Sequence, residues 1–138
     1  MNAAENKRIL QAVFDELAKG NSRPFVDAMS DDFSWTIAGT GPWAGTWRGK
    51  NAVREELFAP LFAQFETQYT NTAQRLIAED DLVVVECRGR VRTKNGKRYD
   101  NTYCYVCRIK AGKMAELTEY CDTQLIADVL TPPVSATA

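Results

Sequence analysis

Apolar residues in the first half of the chain recur at helical spacing. Ile9, Leu10, Val13, Phe14, Leu17 and Ala18 form one such stripe, and Gly20 supplies a stop. Ser22 followed by Pro24 marks a second helix start, with Phe25, Val26 and Met29 on its apolar side. Asp31-Asp32 punctuates, and Phe33 to Ile37 reads as a short strand. After a loop, Val53, Leu57, Leu61 and Phe65 recur every four residues. Asn51 is the expected cap of this third helix, Glu55 and Glu56 lie near its positive end, and Pro60 should kink or split it. Phe58 and Phe62 widen the apolar face, which suits a helix that packs on a sheet and borders a cavity.

From Thr67 onward the period changes to two. Strands are predicted at about 67–78, 81–93, 98–109 and 113–123, separated by Glu79-Asp80-Asp81, Asn95-Gly96 and Ala111-Gly112. Asn-Gly between alternating runs is a strong hairpin signal. Helices followed by an antiparallel meander predict an α+β fold, one domain over residues 1–130, and a disordered tail over 131–138.

The turns also predict which side chains share a face. With Asn95-Gly96 as a two-residue loop, Arg90 opposes Asn101, Arg88 opposes Tyr103, and Glu86 opposes Tyr105. With Ala111-Gly112 as the next loop, Asn101 meets Asp122, Tyr103 meets Tyr120, and Tyr105 meets Thr118. One face then collects Glu86, Arg88, Arg90, Asn101, Tyr103, Tyr105, Tyr120 and Asp122, and would look into the helices as a pocket wall. The other carries Val83, Val85, Cys87, Val91, Cys104, Val106, Leu117 and Cys121, interrupted by Asp100, Arg108 and Glu119. That apolar strip would pair two copies as a homodimer. A three-residue loop, or a bulge at Gly89, would slide the pairing by one and exchange the faces of one strand.

Composition narrows the chemistry. The 138 residues include 17 Lys plus Arg against 18 Asp plus Glu, so no basic excess points to nucleic acid. There is no histidine, which excludes Ser-His and Cys-His catalytic pairs and any His-ligated metal. Acid–base work falls to Asp, Glu, Tyr, Lys or Cys. Neither a signal-peptide pattern nor a membrane-length apolar run is visible, so a cytoplasmic protein without a membrane partner is expected, with Cys87, Cys104, Cys107 and Cys121 as thiols. Cys104-Tyr105-Val106-Cys107 has CxxC spacing, but it sits in a strand, where residues three apart face opposite ways; no metal site is expected. The loop Ala38–Gly49 holds four glycines with Trp43 and Trp47, which either cover a pocket mouth or cap the core.

The helix–helix–strand–helix–meander order, with Asp31-Asp32-Phe33, Gly112-Lys113-Met114 and Glu119-Tyr120-Cys121-Asp122-Thr123, resembles the NTF2-like superfamily. Within it the chain is similar to the SnoaL-like and ketosteroid-isomerase-like group over roughly residues 5–128. The resemblance implies a cone-shaped fold whose bent sheet wraps a hydrophobic pocket, often in a dimer. It implies no cofactor, and either cyclase-, isomerase- or dehydratase-type chemistry or plain ligand binding. Residue by residue, the steroid-isomerase set is absent, since Phe14, Ile37 and Tyr105 stand near its three positions. The epoxide-hydrolase pair on a middle strand falls on Cys87 and Gly89, although Asp122 matches the last-strand acid.

The expected catalytic group is therefore Asp122, desolvated among Tyr103, Tyr120 and the aromatic loop, with Asn101 orienting it and Tyr103 donating to a developing oxyanion. Pairing of Asp122 with Arg88 or Arg90 would instead make it structural. Trp35, Trp43, Trp47, Phe58, Phe62, Glu86, Arg88, Tyr105 and Tyr120 are the expected ligand contacts, and a small hydrophobic, carbonyl-bearing molecule is the expected partner. Two functions stand: proton-transfer enzyme, or non-catalytic binding module.

Overall fold

The computed structural model describes residues 2–133, so 134–138 of the expected disordered tail lie outside the described residues. Helix α1 (Ala3–Leu17) opens with a capping box, in which Asn2 and Glu5 satisfy each other's backbone N–H groups. It buries Leu10, Val13, Phe14 and Leu17, the stripe expected from spacing. A short α2 (Arg23–Asp27) follows, and then β1 (Met29–Ile37), which starts four residues earlier than its apolar core suggested. β2 (Gly45–Arg48) pairs antiparallel with β1.

The third helical region has three parts. They are α3 (Lys50–Ala52), a π-helical stretch Val53–Phe58, and α4 (Ala59–Phe62), so Pro60 does accompany a break in the regular helix. Its cap is Gly49, with no side-chain bond, in place of the expected Asn51. The strands β3 (Thr70–Glu79), β4 (Leu82–Arg90), β5 (Thr102–Lys110) and β6 (Lys113–Cys121) form the meander, and α5 (Thr123–Val129) closes the chain. The sheet order is β2-β1-β6-β5-β4-β3, antiparallel except where β1 lies parallel to β6. The expected α+β architecture is present. No described helix is long and apolar enough to cross a membrane.

The register differs from expectation at two places, and both differences move the site. First, Thr93 N–H donates to the Lys97 carbonyl at 2.8 Å, so the β4–β5 connection is a three-residue loop, Lys94-Asn95-Gly96. Gly96 has φ 83°, the left-handed residue that ends such loops. Tyr103 thus opposes Cys87, and Tyr105 opposes Val85. Second, Ala111-Gly112 is the expected two-residue turn, with Lys110 opposite Lys113, but Ala115 bulges out of the β6 ladder. Beyond it Tyr103 opposes Cys121, and Tyr105 opposes Glu119.

Each slip exchanges the faces of one strand. The face toward the helices carries Val83, Val85, Cys87, Tyr103, Tyr105, Cys107, Leu117 and Glu119, all buried. The outer face carries Val84, Glu86, Arg88, Cys104, Val106 and Tyr120. The expected face assignment of β4 and β6 relative to β5 is therefore corrected.

Candidate functional site

A cavity that opens to solvent lies between the inner sheet face and the helices. The last turns of the third helical region bring Leu57, Phe58, Leu61 and Phe62 over it, while β1 contributes Trp35 and Ile37. Trp43, Ile126 on α5 and Leu130 just beyond it are also part of the wall. Aromatic rings stand in contact along it: Trp35 packs edge-on to Phe58 at 5.3 Å and to Tyr105 at 5.5 Å between centroids. These are favourable geometries for an apolar aromatic lining.

Glu119 is the carboxyl in this lining. It is 6% exposed, and its Oε1 accepts from the Trp35 indole N–H at 3.1 Å. Burial pushes its pKa up to about 7, against smaller lowering effects of hydrogen bonds with Cys121 and Trp35. Both protonation states are then populated near neutrality.

Four further polar groups of the lining form a cluster, with Tyr69 just before β3, Asn71 on β3, and Tyr103 and Tyr105 on β5. Tyr69 donates to the Tyr103 hydroxyl at 3.3 Å, and Asn71 Nδ2 donates to the Tyr69 hydroxyl at 3.2 Å and the Tyr105 hydroxyl at 3.5 Å. Burial raises the pKa of Tyr69, Tyr103 and Tyr105 well above the ordinary value, so all three remain protonated donors. Asn71 is buried, yet its Oδ1 has no partner among the described residues. Gly89 makes the cluster possible: a Cβ there would stand 2.6 Å from the Tyr69 hydroxyl oxygen and 3.0 Å from a Tyr103 ring carbon.

Of the residues expected from sequence, Tyr103, Trp35, Trp43, Phe58, Phe62 and Tyr105 line the cavity. The rest lie elsewhere. Asp122 is the N-cap of α5, its exposed carboxyl accepting from Gln124 N–H at 3.1 Å and Leu125 N–H at 3.2 Å. The Ala115 bulge carries it off the tyrosine face, so the expected catalytic placement of Asp122 is corrected. Asn101 is fully buried, but it binds the Asp122 backbone through both amide atoms, at 3.1 Å each, and donates to the Tyr99 hydroxyl. Tyr120 is 51% exposed on the outer face.

Glu86 and Arg88 also moved outward, because the three-residue loop reversed β4. Glu86 pairs with Arg75, whose hydrogen bond holds its carboxyl below the usual range. Arg88 keeps a buried Nε without a partner among the described residues. Trp47 packs against the core on edge strand β2 but is not part of the cavity wall. Cys104 and Cys107 face opposite sides, as strand spacing requires, and all four cysteines are free.

The sequence reading missed Glu119, Tyr69 and Asn71. Glu119 had a signal: it was a lone carboxylate on an otherwise apolar strand face, a position that carboxylates occupy only when paired or functional.

A SnoaL-like domain model matches residues 10–117. Solved structures with similar folds include an NTF2-like protein from Burkholderia thailandensis E264, 22% identical, covering 92% of this chain and 98% of that one, with a TM-score of 0.77. A candidate SnoaL-like polyketide cyclase from Jannaschia sp. CCS1 is 16% identical, with 96% and 95% covered and a TM-score of 0.76. TerC, co-crystallised with polyporic acid, is 18% identical, with 91% and 97% covered and a TM-score of 0.76. At these identities the likeness concerns the fold, which is that of the NTF2-like α+β cone. Comparison with curated proteins gives no match.

Proposed function

The chain belongs to the SnoaL-like domain family, and from that premise we propose that it holds a small, planar, carbonyl-bearing molecule in the aromatic cavity and moves a proton on it with Glu119. The observation that carries this reading is a carboxyl buried among aromatic rings with its pKa raised to about 7. An acid–base catalyst is most effective when its pKa lies near the working pH. As a carboxylate, Glu119 takes a proton from carbon next to a carbonyl; as the acid, it returns the proton elsewhere on the same skeleton. Tyr103 and Tyr105 donate to the oxygen on which charge collects. The aromatic walls exclude water and orient a flat ring system. Co-crystallisation of TerC with polyporic acid supports a small organic molecule as the kind of occupant.

The test is α-proton exchange of 1-tetralone in D2O, followed by proton NMR. The protein should accelerate exchange over buffer, and Glu119→Gln should lower that acceleration by about 10²-fold or more. Saturable binding of 1-tetralone with no acceleration would overturn the catalytic reading. The second reading, a non-catalytic binding module, would then hold; the almost wholly apolar lining outside the tyrosine cluster favours it.

A homodimer through the outer sheet face belongs to the same proposal. Ile77, 49% exposed, and Tyr120 stand on that face beside Val84 and Val106. Light scattering should give twice the chain mass, and Tyr120→Glu should shift it toward the monomer.

A further inference from the structure

We propose that the tyrosine wall of the cavity recognises a hydroxyl group standing next to a carbonyl, with Asn71 Oδ1 accepting from the hydroxyl and Tyr103 and Tyr105 donating to the carbonyl oxygen. The inference rests on the cavity being a small-molecule site, and it names the class of molecule.

Counting protons in the cluster leads to this assignment. Asn71 spends its two amide protons on the hydroxyl oxygens of Tyr69 and Tyr105. Tyr69 spends its single proton on Tyr103. The chain of bonds therefore runs outward from Asn71, and the hydroxyl protons of Tyr103 and Tyr105 have no acceptor among the hydrogen bonds of the described residues. At the other end, Asn71 Oδ1 is a buried acceptor with no donor among the described residues. Buried polar groups are paired in nearly all folded proteins, so an unmatched set beside a cavity marks where a ligand completes the pairing.

The unmatched set is specific. Beside Asn71 it offers two donors and one acceptor, with the Tyr99 hydroxyl as a further donor in the same lining, and Asn71 reaches the Tyr105 hydroxyl directly, so the two functions lie side by side. A carbonyl oxygen satisfies the tyrosines. A neutral hydroxyl on the adjacent carbon satisfies Asn71. A simple ketone leaves Asn71 unpaired, a methyl ether offers it only another acceptor, and a carboxylate has no proton to give. The remaining lining, with Phe58, Leu61 and Phe62, is apolar and calls for a hydrocarbon or aryl body.

Three probes of one shape separate these cases: 2-hydroxy-1-tetralone, 1-tetralone and 2-methoxy-1-tetralone. Dissociation constants come from NMR titration of the full-length protein, read at the Trp35 indole N–H and the Asn71 side-chain amide. The hydroxy ketone should bind about tenfold more tightly than either of the others, the effect of one added hydrogen bond to a buried group. Asn71→Leu should reduce that preference to twofold or less. Tyr105→Phe should weaken all three ketones.

Equal binding of the three probes to the wild-type protein, with shifts at Trp35, would overturn the inference and leave the cavity reading standing. A preference for the methoxy ketone would overturn it as well, since Asn71 would then be presenting a donor. Absence of any shift at Trp35 with all three would overturn the small-molecule reading of this cavity and the inference with it. The wild-type comparison decides the matter even where Asn71→Leu does not fold.

Discussion

Trp35 on β1 donates its indole N–H to Glu119 on β6, across 3.1 Å and between parallel neighbouring strands. The bond favours the carboxylate, whereas burial among aromatic rings favours the neutral acid. Burial wins, and the pKa rises to about 7 from a reference of 4.5. The folded protein therefore holds this proton to higher pH than the unfolded chain does.

Stability should follow from that imbalance. Glu119 contributes its full share below about pH 4.5, and the contribution is lost as pH rises to about 7. At about 1.4 kcal/mol per pKa unit the swing is on the order of 3 kcal/mol. Urea unfolding at pH 5 and pH 8 should show it as a decline, and Glu119→Gln should flatten that decline. An unchanged slope in the variant would place the titration on another group.

Trp35→Phe should move the Glu119 midpoint upward. Removing the indole donor takes away a bond to the ionised form while the apolar surroundings remain. Carbon-detected NMR of the side-chain carboxyls reads the midpoint directly. A downward shift would mean that the ring matters mainly by excluding water.

Asp122→Ala should cost stability without touching the cavity. The carboxyl caps two backbone N–H groups at the start of α5, and loss of such a cap costs about 1 kcal/mol. Thermal unfolding should register the loss, while the Glu119 titration and ketone binding stay as in wild type. Loss of either would return Asp122 to the site.

The architecture was legible because it depends on period and turn chemistry, which are local. The helical stripe ending at Leu17 and the Ala111-Gly112 turn are of this kind. The site was less legible because it depends on register, and register here turns on single residues. Including Lys94 in the hairpin loop reverses β4, and bulging Ala115 reverses β6. Neither residue has a side chain that announces its role. Tyr103 and Tyr105 stayed inward because they lie between the two slips, whereas Glu86, Arg88, Tyr120 and Asp122 lie beyond one or the other. The face carrying Leu117 and Cys121 looked like a dimer strip interrupted by Glu119; it is the cavity wall, and the interruption is its carboxyl.

Gly89→Ala should disrupt the tyrosine cluster from behind. The new Cβ would meet the Tyr69 hydroxyl oxygen at 2.6 Å and its Cε2 at 2.9 Å, so the ring must shift. Overpacking of this kind costs about 1–3 kcal/mol. The signature beyond lost stability is a changed environment for Tyr103, visible in aromatic NMR, because Tyr69 can no longer reach its hydroxyl. A variant that is destabilised while Tyr103 stays unmoved would show that strain is relieved through β4 instead.

Gln64 fixes the segment that roofs the cavity. Its side chain accepts from Thr131 N–H at 2.8 Å and donates to the Thr131 carbonyl at 3.0 Å, and the Trp43 indole donates to that same carbonyl at 3.1 Å. Leu130, next to this clasp, belongs to the cavity wall, as does Trp43. Gln64→Ala removes two of the three bonds and should leave Trp43 holding the segment alone. Each lost bond is worth about 1 kcal/mol, so the Trp43 indole and Thr131 amide protons should exchange with solvent at least tenfold faster. Ligand dissociation should quicken as the roof loosens, with the Glu119 midpoint unchanged because Gln64 makes no contact with its carboxyl. Unchanged exchange at Trp43 would show that packing of Ile126 and Leu130 holds the roof closed without the clasp.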